Sequence, residues 1–447
     1  MTRGIADLPA VPLSGADITS GRLPAKLAQA AMEHGPIFKW VIADGWDRGE
    51  YVFMVGPEAN RFVLHSGREH FSHDKGWTPI IGDMFGKGLL NMDDPEHARH
   101  RRLWNPAFTS AAMEAYLPIL GRIIAERTAA WPQREWVDVY AEAREITFDA
   151  AAAALAGMPT GPQVDRLREL FYTMLHGFDE RAETWQEYEQ RWVIAQSELV
   201  RALLAVIAER RAAPAAGQPR DVVGLIVRAR DEDGRALSDE QILAHLNILL
   251  VAGHETTTTL SAWTLYMLAT QPEHRARIRA ELAALLGQER GALPVEAVRQ
   301  MKTLDNFIKE VGRIYSPVIN VPRGVVRDFT FAGYTIPEGT PVRLALAASH
   351  LLPHVFADPE RFDPDRFAPP REEDRRTPYS LVTFGGGPRI CIGISFAQIE
   401  TKALAAHVLR SFELEPLPGQ RLVHEGHWTA AVPGGIRLRA RPLTAER

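Results

Sequence analysis

One cysteine, Cys391, occurs among 447 residues. That count rules out an internal disulfide and leaves the sulfur as a free thiol, a nucleophile or a metal ligand. It lies in the run Phe384-Gly385-Gly386-Gly387-Pro388-Arg389-Ile390-Cys391-Ile392-Gly393. The glycines permit a tight loop that residues with a Cβ would resist. Beyond the loop, Ile392, Phe396, Ile399 and Leu404 mark the buried stripe of a helix. A thiol at a helix N-terminus meets backbone N–H groups and the helix dipole, which favour the thiolate, and Arg389 adds a positive charge. A lone thiolate suits structural zinc poorly, because that ion takes four Cys, His or carboxylate ligands. It suits the axial position of a haem iron, where thiolate donation favours O–O cleavage.

Three further groupings carry chemistry-bearing residues at regular spacing. Ala252-Gly253-His254-Glu255-Thr256-Thr257 interrupts the most apolar stretch of the chain, where unpaired polar groups are expensive. There Ala252 and Gly253 leave room for a ligand to approach the backbone, and the Thr256 hydroxyl can bond the carbonyl four residues back. His97 and Arg101 fall on one face of a helix that also carries Arg99, His100 and Arg102, which reads either as a solvated basic face or as an anion site. Glu310 and Arg313 stand at i and i+3, a spacing that by itself gives an ordinary ion pair.

Phe384, Gly387, Arg389, Cys391 and Gly393 together resemble the haem-binding signature of the cytochrome P450 family. The resemblance extends to the other groupings in the family's order. It implies haem b bound through Cys391, with Phe384, Gly385 and Arg389 in the cysteine loop and Ala252 on the distal side. It also implies that His97, Arg101 and Arg323 hold the propionates, which need charge-assisted donors. Residues 252–256 are similar to the family's element for dioxygen activation, in which Thr256 would organise dioxygen and a water, and Glu255 would serve the proton relay. Glu310 and Arg313 match an E-x-x-R element, and Arg366 in Phe362-Asp363-Pro364-Asp365-Arg366-Phe367 supplies its third member, all three architectural. One departure is visible: after His350 the family has Arg-Asp-Pro, whereas this chain has Leu351-Leu352-Pro353.

These residues require a scaffold, and the pattern predicts a mainly α fold with a small β region, a single domain over 1–447. The resemblance implies the cytochrome P450 fold, with haem between a long central helix and the cysteine loop. The β-rich lobe is formed by about 36–64 and 318–345. Leu23 to His34 and Pro57 to Leu64 read as helices around two strands, Ile37 to Val41 and Tyr51 to Val55, joined across Asp47-Arg48-Gly49. Ser72 to Asn91 reads as a long irregular apolar loop, so Trp77, Ile81 and Leu90 are expected to line a substrate pocket. Leu249, Ala252, Val318, Ile319 and Thr429 complete its walls.

Helices follow over Pro95 to Trp104, Ala111 to Ala130, Tyr140 to Leu155, Val164 to Phe178 and Thr184 to Arg211, with a loop over Ala212 to Pro219. Ser238 and Gln241 cap the central helix, which runs to about Ala269. Another spans Leu304 to Tyr315. Strand patterns occupy Val318 to Val326, Phe329 to Thr335 and Thr340 to Ala345, and the chain ends in a hairpin.

With 46% hydrophobic and 24% charged residues the composition is that of a globular protein, and a net charge of −5 gives no case for a nucleic acid partner. No run of about 18 apolar residues and no signal peptide is found, so a cytoplasmic protein without a membrane anchor, and a monomer, is expected. Only 54 residues follow Gly393, too few for a reductase. The resemblance therefore implies a separate ferredoxin-type donor with an NAD(P)H-dependent reductase, and Arg99 and Arg102 are candidates to steer it. The implied activity is insertion of one oxygen atom from O2 into a lipophilic compound. A peroxide-driven or rearranging haem-thiolate enzyme and a haem-based sensor are the alternatives.

Overall fold

A computed structural model describes residues 3–42, 49–176, 184–213, 221–287 and 293–443. The predicted turn at Asp47-Arg48, Phe178 and most of the 212–219 loop lie outside these residues. Eleven strands are described: β1 (Ala10–Leu13), β2 (Ile37–Ile42), β3 (Gly49–Met54), β4 (Phe71–Ser72), β5 (Val137–Asp138), β6 (Val321–Val325), β7 (Phe329–Phe331), β8 (Tyr334–Ile336), β9 (Pro341–Leu344), β10 (Phe412–Pro416) and β11 (Arg437–Pro442). The remainder is mainly helical, as the periodicity predicts.

The largest sheet has the order β1-β2-β3-β9-β6-β4, which joins the N-terminal strands to the 318–345 region. β2 and β3 pair antiparallel with Phe38 opposite Phe53, and β3 then pairs parallel with β9. Side chains alternate between two apolar clusters on the sheet faces, one around Ile37, Val52, Met54 and Leu344, the other around Phe38, Trp40 and Phe53. The predicted strand 329–335 is two strands, because Ala332 and Gly333 adopt positive φ and reverse the chain between β7 and β8. β10, β11 and β5 form a separate three-stranded sheet that includes the expected closing hairpin.

A third, larger cluster is built from helices and holds Trp104, Trp131, Phe148, Leu246 and Leu409. Its axis is the central helix, Asp239–Thr270. Ser238 accepts from the Gln241 N–H, and Gln241 returns the bond to the Ser238 N–H, so the predicted capping box is formed. Helix Val139–Ala156 packs along it, and helix Ile394–Ser411 follows the cysteine loop as expected.

The stretch read as an irregular loop is largely a helix, Asp74–Phe85. Gly76, Pro79 and Gly82 disguise it, since each is a poor helix former. Packing against β6 accounts for one of them: a Cβ on Gly76 would come within 2.8 Å of the Pro322 carbonyl. The loop proper is confined to Gly86–Asp93, where Asn91 bridges the Gly86 carbonyl and the Gly88 N–H.

Candidate active site

The cysteine loop folds as its glycines allow. Gly385 and Gly387 have φ of +72° and +64°, and a Cβ at 387 would collide with the Leu64 carbonyl. A Cβ at Gly385, by contrast, would point into open space. The Cys391 N–H donates to the Phe384 carbonyl at 2.9 Å and closes the loop. The sulfur is deep in the protein, yet the residue retains open surface, so it borders an internal hollow.

Burial pushes the Cys391 thiol up, opposed by the Gly393 N–H and by the Arg101 charge. The expected lowering at the helix N-terminus therefore does not prevail, and the nearby cation is Arg101 rather than Arg389. Arg389 instead donates to the Met92 and Leu89 carbonyls at 2.6 and 3.4 Å, clamping the 86–93 loop to the cysteine loop.

Basic side chains cluster around Arg389, and one of them, Arg101, also acts on the thiol. Arg323 is buried, its Nη1 donates to the Pro322 carbonyl at 2.7 Å, and its Nε has no partner. Burial first, and the Arg389 charge second, push its pKa down to about 9. Burial likewise brings Arg389 down to about 10. His97 is buried 3.4 Å from Asp94, and burial followed by the Arg389 charge lowers it to about 4. Arg101 is also lowered by burial, while its Nε donates to Asn105.

His73 joins this group although the sequence reading missed it. Burial and then Arg323, Arg389 and His97 hold it well below the usual imidazole range. No local pattern marks it: its backbone N–H donates at 2.7 Å to Asp93, twenty positions along the chain. Three buried or half-buried guanidiniums, one with an orphaned Nε, and two imidazoles whose protons their charges disfavour offer donors that suit an anion. The two propionates of a haem fit them, and a thiol on the same hollow fits the iron.

The central helix exposes Ala252 and partly exposes Gly253 in a mostly buried run. A Cβ at Gly253 would meet nothing within 4 Å, so the backbone here is open to a ligand's approach. Thr256 donates to the Ala252 carbonyl at 2.7 Å, the predicted backbone bond. Glu255 turns away toward Arg144, whose Nη2 is 3.4 Å from Oε1.

The expected pocket residues fall into two groups. Trp77 sits 5.7 Å from the Trp428 ring, Val318 bridges Thr429, and Thr429 is exposed. Ile81 and Leu90 are half-buried against the helical core, which contains Leu249. Ile319 is 1% exposed and packs with Phe53, Ala345 and Ala430 in the β region, so its side chain belongs to that core. Thr259 ties the central helix to this turn by donating to the Ala430 carbonyl at 2.6 Å.

The architectural trio is assembled and fully buried. Arg313 pairs with Glu310 through two bonds of 2.8 Å, and Arg366 Nε reaches Glu310 at 3.0 Å. Glu373, not foreseen, takes Arg366 Nη1 at 2.7 Å. His350 answers the departure at Leu351-Leu352: its carbonyl accepts from Arg313, and its Nε2 accepts from the Val382 N–H at 2.9 Å. One buried imidazole therefore ties the trio to the approach of the cysteine loop.

Arg99 and Arg102 are engaged with Asp231 and Glu232 at 3.1 Å each, which offsets the positive charge expected to steer a partner. Among the described residues no helix is long and apolar enough to cross a membrane, and no group of three His, Cys, Asp or Glu residues could hold a metal ion.

Cytochrome P450 136 of Mycobacterium tuberculosis is 32% identical over 375 residues, covering 81% of this chain and 74% of the relative. A sterol 14α-demethylase of Mycolicibacterium vanbaalenii is 29% identical over 409 residues, with 88% of each chain covered. The structure of cyanobacterial CYP120A1 with retinoic acid superposes with a TM-score of 0.84 at 26% identity, covering 99% of this chain and 100% of that one. The cytochrome P450 profile matches residues 11–436, and by that match the chain belongs to the cytochrome P450 family of haem-thiolate monooxygenases.

Proposed function

We propose that the chain is one catalytic domain that binds haem b between the central helix and the cysteine loop, where the Cys391 thiolate would hold the iron. It inserts one oxygen atom from O2 into a lipophilic substrate, using electrons from a separate ferredoxin-type partner. The observation that carries this reading is the receptor of Arg323, Arg389, Arg101, His97 and His73, of which Arg101 also acts on the chain's single thiol.

When bound, haem supplies the one-electron and dioxygen chemistry. The protein's part is to position it, shape the cavity and control protons. Arg323, Arg101 and His97 would hold the propionates, and the open faces of Gly385 and Gly253 would leave room for the macrocycle. Trp77, Ile81, Leu90, Leu249, Ala252, Val318 and Thr429 give the substrate space a mostly apolar wall, which selects by hydrophobic contact. The retinoic acid held by a structural relative is of this lipophilic kind. Thr256, anchored on the Ala252 carbonyl, offers a hydroxyl that can accept and pass a proton, and Glu255, the next residue on the helix, would replenish it.

Two variants test the reading together. Cys391→Ala abolishes product formation and the red-shifted carbon monoxide spectrum of the reduced protein. Thr256→Ala keeps that spectrum and still consumes NAD(P)H, but diverts electrons into hydrogen peroxide. An unchanged spectrum in the first variant, or parental product yield per electron in the second, would refute the corresponding assignment.

A further inference from the structure

Glu255 meets two side chains outside the cationic receptor, and both of them meet Tyr172. Arg144 Nη2 and His254 Nδ1 each lie 3.4 Å from Glu255 Oε1. The other ring nitrogen of His254, Nε2, is 3.1 Å from the Tyr172 hydroxyl. The Tyr172 ring in turn carries the Arg144 guanidinium at 3.9 Å. The four residues close a ring drawn from helix Val139–Ala156, helix Pro162–His176 and the central helix. Its centre is dry, since His254 is 1% and Glu255 8% exposed.

The carboxylate beside Nδ1 sets the direction of the chain. A carboxylate only accepts, so Glu255 favours the tautomer with the ring proton on His254 Nδ1. In a neutral imidazole Nε2 is then bare and accepts from the Tyr172 O–H. Burial holds the Tyr172 phenol far above its usual range, so it remains a donor and does not act as a base. Thr147 holds the backbone in place: its hydroxyl lies 2.8 Å from Thr258 and donates to the His254 carbonyl at 3.5 Å.

We propose that Tyr172 and His254 are positioning residues for Glu255: the hydroxyl fixes the imidazole tautomer, and the imidazole fixes the carboxylate on the face that also meets Arg144. This rests on the reading that Glu255 serves the proton relay. Neither residue exchanges the proton that Glu255 delivers. Their effect is to keep the carboxylate at one place relative to Thr256, one residue along the same helix. Arg144 completes the arrangement as a guanidinium stacked on the same phenol, so a single tyrosine orders both partners of the acid.

The test uses haem-loaded enzyme with Tyr172→Phe, His254→Gln, His254→Leu and Glu255→Gln. Tyr172→Phe keeps the ring under Arg144 and removes one hydroxyl, so haem content and the carbon monoxide spectrum are expected to stay parental. The peroxide released per electron rises, and its dependence on heavy water changes. His254→Gln, whose amide can accept from Tyr172 and donate to Glu255, restores more coupling than His254→Leu. A second measurement does not depend on turnover. In urea unfolding, Tyr172→Phe changes the unfolding constant by about twofold or more beyond its effect in the Glu255→Gln background, as interacting residues do.

If Glu255→Gln leaves peroxide release unchanged, the relay reading fails and this proposal with it. If Glu255→Gln raises peroxide release while the Tyr172 and His254 variants match the parent, the relay stands and the positioning role is refuted. Equal effects of Tyr172→Phe on unfolding in both backgrounds would also overturn it.

Discussion

Replacing Arg313 by leucine should be among the most damaging single changes in the chain, and more damaging than removing the whole charged network. Arg313 is 0% exposed, gives two bonds of 2.8 Å to Glu310 and donates to the His350 carbonyl at 2.9 Å. Its loss strips Glu310 of one bidentate partner, leaving Arg366 Nε and the Asp363 N–H. Breaking a buried ion pair from one side costs about 3 to 5 kcal/mol, because the remaining charge stays desolvated. The surviving partners place the expected loss near the lower figure. For 447 residues the unfolding entropy is roughly 0.9 kcal/mol per kelvin, so about 3 kcal/mol lowers Tm by about 3 °C.

The triple variant Glu310→Leu, Arg313→Met, Arg366→Met removes every member of the trio and substitutes apolar volume. Such replacements are often neutral or stabilising. The carboxylate of Glu373 keeps Arg371, which pairs with it at 2.8 Å, so no charge is stranded. Thermal unfolding followed by circular dichroism and by haem absorbance should therefore rank Arg313→Leu below the triple variant. If the triple variant is the less stable, or Arg313→Leu unfolds at the parental temperature, the reasoning about desolvated charge is wrong.

Other perturbations address the anion receptor and a buried acid. Arg323→Leu should weaken haem retention more than Arg101→Ala, since Arg323 is buried with an orphaned Nε and Arg101 keeps some contact with water. Losing the charged bond from Arg323 costs about 1 to 3 kcal/mol, read as faster haem transfer to an acceptor protein. Equal transfer rates in both variants would remove Arg323 from the receptor. Glu400 is fully buried with neither carboxylate oxygen bonded, and burial raises its pKa well above the ordinary value. A carboxyl raised in the folded state holds a proton that the unfolded chain releases. Stability is thus highest below the unfolded value and falls as pH rises toward the folded one. Glu400→Gln should accordingly gain stability over the parent on going from pH 5 to pH 8 in urea titrations, and parallel curves would contradict this.

What the sequence made legible follows from how narrowly chemistry restricts residue type. A thiolate loop, a hydroxyl four residues from an exposed carbonyl, and an acid between two arginines each admit few substitutes, so Cys391, Thr256 and Glu310 stood out. The long helices were equally visible, because their apolar periods persist over many turns. Helix Asp74–Phe85 was not, since Gly76 answers to a contact with Pro322 that spans nearly 250 positions, and no local pattern reports such a contact. His73, Tyr172 and Arg144 were missed for the same reason. Each is an ordinary residue until the fold places it against another element. Ile319 shows the converse: neighbours such as Ala430 and Phe53 claim a side chain whose position along the chain suggested a cavity wall.

β1 has a consequence for handling the protein. It pairs parallel with β2 as the outermost strand of the large sheet, and Pro12 within it lacks the N–H that a further strand would need. Behind it lies Ile37–Ile42, a run rich in β-branched and aromatic residues. A truncation past residue 13 would uncover the backbone donors and acceptors of that run, a template for edge-to-edge association. The proline-bearing strand serves as a blunt selvage, and shortened versions of this chain should lose colloidal stability in concentrated solution before they lose their helices.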